Sequence, residues 1–69
     1  MTYAERVEQQ REEARRELAA AEQELASGGE AARVRYARAL HEADLAEARA
    51  QRHAREDWRH QHSWRLVAG

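Results

Sequence analysis

The turn Ser27-Gly28-Gly29 constrains this chain more than any other feature. It is the one strong turn signal between Thr2 and Val67, and the third glycine is the last residue, Gly69. Glycine accepts the left-handed backbone that ends a helix. There is no proline anywhere to break a helix on either side. Both flanks are rich in Ala, Glu and Arg, which are strong helix formers. A connection this short between two helices forces them to lie antiparallel. The expected fold class is therefore all-α: an antiparallel, coiled-coil-like two-helix hairpin. Its expected parts are a helix over 3–26, a turn over 27–29 and a longer helix over 30–67, in one domain spanning 1–69.

The first helix has a clear start. Thr2-x-x-Glu5 has the spacing of a capping box. From there Ala4, Val7, Arg11, Ala14, Leu18, Ala21 and Leu25 recur at alternating steps of three and four, a heptad seam that packs helices at a shallow angle. Ser27-x-x-Glu30 repeats the capping-box spacing at the expected start of the second helix. The second helix carries two apolar stripes. Val34, Ala37, His41, Leu45 and Ala48 form one, which is expected to face the first helix. Tyr36, Leu40, Ala43, Ala50, Ala54 and Trp58 form another, about 120–150° around the helix and available for a second contact.

Composition then asks where the burial comes from. The chain has 69 residues and is 42% hydrophobic, but alanine dominates that share. Domains below roughly 70–80 residues seldom gain more than about 3–5 kcal/mol from one core. There is no cysteine, so neither a disulfide nor a thiolate-bound metal can add to it. Assembly into a helical bundle, as a homo-oligomer or on a larger protein partner, is the expected remedy. Every basic residue is arginine, and Lys, Phe, Ile and Asn are absent. That bias resembles a GC-rich bacterial source. The start lacks a basic segment followed by an apolar one, so no signal peptide is expected. No apolar run reaches the roughly 20 residues of a membrane span. A cytoplasmic chain with no membrane partner is the expectation.

Unequal arms place the candidate site. Folding about the glycines sets Tyr3 opposite Ala54, which leaves everything after about Arg55 without an intramolecular partner. That overhang holds Trp58, Arg59, His62, Trp64, Arg65 and Leu66. Trp and Arg are the residue types enriched at interface hot spots. The expected function is a non-catalytic protein–protein interaction module, an adaptor or regulator. Its partner interface comprises Tyr36, Leu40, Trp58, Arg59, His62, Trp64, Arg65 and Leu66. The other possible course for the tail is a turn near His60–Ser63 that packs Trp64 and Leu66 back on the hairpin.

Charge supplies the alternative. Residues 1–30 hold eight Glu against four Arg, a net of −4, while residues 31–69 hold eight Arg against five acids, a net of +3. The two arms attract each other. Arg52, Arg55 and Arg59 also share a helix face with His62 beside them, and such a stripe could track phosphates in a nucleic-acid-binding or transcription-regulating hairpin. His53, Asp57, His60 and His62 lie close in sequence, but one hairpin does not supply the three or four convergent ligands of a zinc site, so no metal is expected. Neither Ser27 nor Ser63 has a His/acid arrangement. Gly28-Gly29 lacks the Lys-Ser/Thr of a phosphate loop. No enzyme activity, cofactor or small-molecule substrate is expected.

One stretch has a counterpart elsewhere. Glu42-x3-Ala46-x2-Arg49-x3-His53-x3-Asp57 resembles, in spacing, the helical motif by which small actinobacterial anti-sigma factors grip cyclic di-GMP. Glu42, Arg49 and Asp57 match that motif, whereas its Ser is Ala46 here and its Gln is His53. Those proteins are also antiparallel helical hairpins. The resemblance implies an anti-sigma-like, cyclic-dinucleotide-responsive adaptor.

Overall fold

A computed structural model of the chain describes the backbone of residues 1–68 and the side chains of residues 1–62. It consists of two α-helices, α1 over Tyr3–Leu25 and α2 over Glu30–Ala68. They pack against each other as a hairpin, 59 Å long and 12 Å across its narrowest direction. Among the described residues, no helix is long and apolar enough to cross a membrane.

The ends follow from local chemistry. The Thr2 hydroxyl accepts the Glu5 amide at 3.1 Å and donates to the Glu5 carboxylate at 3.2 Å, which satisfies one free donor of the first turn. At the other end the amides of Ser27 and Gly28 donate to the carbonyls of Glu24 and Leu25, both at 3.0 Å, tightening the last turn. Gly28 and Gly29 then take φ values of 81° and 95°. Those angles explain why Ser27 and Glu30 do not form the expected capping box. Ser27 as N-cap would need Gly28 and Gly29 in right-handed helical geometry. Instead the Gly29 carbonyl accepts the Arg33 amide at 3.3 Å, and the helix starts from glycine.

The α1 seam lies where its spacing puts it. Val7 and Ala21 are buried, and Arg11, Ala14, Leu18 and Leu25 are half-buried, although Ala4 stays exposed. The facing stripe of α2 differs from expectation. Val34 is 52% exposed and Leu45 39% exposed, and Ala37, His41 and Ala48 are exposed too. The seam is instead Ala32, Tyr36, Ala39, Ala43, Ala46, Ala50 and His53, with Ala39 and Ala46 buried and the others half-buried. This is also a heptad pattern, built almost wholly of alanine.

Two physical terms favour that face. Alanines let the helix axes approach closely, so the larger side chains of α1 reach across. The same rotation sets Arg35 and Glu47 on the flanks of the seam, within reach of α1. Arg35 bridges Glu17 at 2.8 Å and Glu24 at 2.7 Å. Glu47 accepts from Arg11 at 2.7 Å and from Arg15 at 3.4 Å. Arg11, which breaks the apolar seam of α1, is thereby answered across the interface, and His41 stays in water.

Candidate functional site

The antiparallel register ends where the rings of Tyr3 and His53 meet edge to face, with centroids 5.0 Å apart. Past that contact α2 continues as a single helix. Residues 54–68 add about 22 Å at 1.5 Å per residue, with no turn of α1 alongside. Every described residue from Ala54 to Gln61 is exposed. The helix does not turn back at His60–Ser63.

Trp58 dominates this overhang and is 59% exposed. The His62 ring stacks on it, with centroids 4.2 Å apart and planes 16° from parallel. His62 also points Nδ1 at the Trp58 carbonyl, 2.8 Å away, so Nδ1 carries the proton and donates. The pair forms a flat aromatic step held by one backbone bond. Beside it Gln61 donates to the Asp57 carboxylate at 3.1 Å.

The other expected interface residues are not gathered into one patch. Tyr36 is half-buried in the hairpin seam, so only part of its ring is open. Leu40 is 39% exposed on the same side of α2 as Trp58, but 18 residues, about 27 Å, earlier. Arg59 is exposed on the overhang. The side chains of Trp64, Arg65 and Leu66 lie outside the described residues. Arg52, Arg55 and Arg59 are all exposed and share the side of α2 that faces away from α1.

Three of the five positions that resemble a cyclic-dinucleotide motif, Glu42, Ala46 and Arg49, line one shallow groove with Gln10 and Glu13 of α1. Ala46 is buried in the seam, His53 is held against Tyr3, and Asp57 lies out on the overhang. Two of the five positions therefore pack against α1. Among the described residues, no three His, Cys, Asp or Glu side chains come together as a metal site.

The cross-helix ion pairs are features that helical spacing alone did not reveal, because they depend on which face turns inward. They shift their members in opposite directions. Hydrogen bonding to Arg11 holds the Glu47 carboxyl below its usual value near 4.5, against a smaller opposing effect of desolvation. Hydrogen bonding to Glu47 raises Arg11, and hydrogen bonds to Glu17 and Glu24 raise Arg35. The sign for stability follows from the lowered carboxyl. Its contribution is complete above the unfolded value and is lost as pH falls through the lower folded value. Melting followed by circular dichroism is expected to show a smaller loss between pH 7 and pH 3 for Glu47→Gln than for the unmodified chain. An equal loss would show that this pair does not carry the acid sensitivity.

No family model, curated relative or solved structure matches this chain.

Proposed function

We propose that this chain is a non-catalytic protein–protein interaction module that self-associates and uses its Trp58-bearing overhang as a docking element. One observation carries the reading: the hairpin leaves several large apolar side chains of α2 outside. Among the described residues its buried apolar set is Val7, Ala21, Ala39 and Ala46, whereas Val34, Leu40, Leu45 and Trp58 stay 39% to 59% exposed. Roughly half of the about 1.5–3 kcal/mol that full burial of a large side chain supplies is thus open to another protein surface at each position.

Molar mass by light scattering, across concentration and at two salt levels, tests it. The expected result is a species heavier than the 8.0 kDa monomer that persists at high salt. A chain that is monomeric throughout would exclude self-association. Replacing Trp58 and Trp64 together by alanine is expected to lower the largest mass reached while leaving the hairpin helical. Identical mass profiles for the two proteins would remove the overhang from the interface.

The outward arginines support a second reading, a nucleic-acid-binding hairpin. Salt-sensitive retention of a labelled oligonucleotide, lost on replacing Arg52, Arg55 and Arg59 by alanine, would favour it over the first.

A further inference from the structure

The face of α2 that points away from α1 is itself a continuous stripe. It reads Glu30, Val34, Ala37, His41, Leu45, Ala48 and Arg52, again in steps of three and four, and all seven residues are exposed. Nothing in the hairpin uses it. Among the described residues, neither Glu30 nor Arg52 has an ion-pair partner. The outer face of α1 is different in kind. Its exposed residues include Glu5, Gln9, Glu12, Arg16 and Gln23. The molecule therefore has one polar outer face and one that carries Val34, Ala37, Leu45 and Ala48 around a central His41, with an acid at one end and a base at the other.

We infer that a second copy of this chain sits on that face, antiparallel, about a two-fold axis at His41. The stripe is self-complementary under that operation. Val34 falls opposite Ala48 of the second copy, Ala37 opposite Leu45, and Glu30 opposite Arg52, each pair occurring twice. Ala37 and Ala48 provide the room for close approach, and the contact is isologous, so it closes as a dimer. Other arrangements match worse. Parallel pairing in register sets Glu30 on Glu30 and Arg52 on Arg52. Sliding the antiparallel pair by one heptad sets Arg55 against Val34 in one direction and Glu30 against Leu45 in the other. Like charges and unpaired ends of this sort are what select register in helix pairs. The stripe from Glu30 to Arg52 runs about 33 Å, long enough for three heptads of contact.

This inference rests on the reading that the chain self-associates, but it places the contact away from the overhang. In the dimer each overhang runs out past the Ser27–Gly29 turn of the other copy. The product is a four-helix body with one Trp58 near each end.

The test is a charge exchange, read as molar mass against concentration. It is done in the Trp58→Ala, Trp64→Ala background, so that contacts through the overhang are already removed. Glu30→Arg and Arg52→Glu are each expected to weaken association about tenfold, since each turns two attractions into two repulsions. An equimolar mixture of the two variants is expected to recover the unexchanged affinity, because the mixed dimer restores both pairs. Leu45→Glu, at a position outside the hairpin seam, is expected to give a monomer of unchanged helicity. Single variants that associate like the parent, a mixture that fails to recover, or a Leu45→Glu chain that stays dimeric would each overturn the proposal. Glu30 lies in the first turn of α2, so a loss seen with Glu30→Arg alone could be a loss of helix. The mixture is therefore scored with Glu30→Arg shown by circular dichroism to be as helical as the parent, while Arg52→Glu and Leu45→Glu decide the matter without it.

Discussion

Replacing Gly28 and Gly29 together by alanine is expected to turn the hairpin into one straight helix. Both residues have positive φ, 81° and 95°. An L-residue there costs roughly 1–2 kcal/mol per position, because its Cβ crowds the backbone. A methyl group would meet nothing else, since no heavy atom lies within 4 Å of a Cβ at either site. The penalty is therefore purely one of backbone conformation, and a continuous helix removes it completely. The alanine seams would then be filled by a second chain, in an exchange of arms between copies. A helix from Tyr3 to Ala68 would be about 99 Å long, with a radius of gyration on the order of 29 Å. The hairpin has a value of 17.2 Å. Small-angle scattering separates the two directly. A radius unchanged from that of the parent would mean that the seam, rather than the glycines, holds the two arms together.

Ala21→Leu is expected to have the largest effect of any single substitution in the seam. Ala21 is fully buried, with 0% exposure, on the side of α1 that meets the alanines of α2. Extra methylenes forced into a packed contact cost about 1–3 kcal/mol. In a hairpin whose buried set is one valine and three alanines, that is a large share of the total. The control is Ala20→Leu, one residue away and exposed. Surface changes of that kind stay within about 0.5 kcal/mol. Urea titration of both variants checks the argument. If Ala21→Leu melts with Ala20→Leu, or above it, the helices are not held at alanine distance.

The hairpin itself is legible in the sequence because it depends on local signals. Two glycines after Ser27, a threonine three residues before Glu5, and an absence of proline leave few other folds. The seam of α1 is legible for the same reason, since Val7, Leu18 and Leu25 repeat at heptad spacing on one face. Which face of α2 turns inward is not legible by the same rule. Size points to Val34 and Leu45, while the packing chose Ala39 and Ala46. The choice depends on axis separation and on whether Arg35 and Glu47 can reach across, and neither quantity exists until both helices are placed. The clue available beforehand was the long run of alanines at positions 32, 39, 43, 46 and 50, a pattern of small residues rather than of large ones. The overhang is legible by counting, and the register of Tyr3 against His53 falls one residue from the position that counting gives.

The glycine turn also sets the order in which the two arms come together. Contacts beside it close short stretches of chain, such as the 18 residues between Glu17 and Arg35, whereas Arg11 and Glu47 are separated by 36. Chain closure costs more entropy as the enclosed length grows. The hairpin is therefore expected to zip from the glycines outward and to open first at the Tyr3–His53 end. Each turn of α1 that peeled away there would bare another turn of α2 and lengthen the overhang. A partner that gripped Trp58 and climbed toward the turn would compete with α1 for the same alanines.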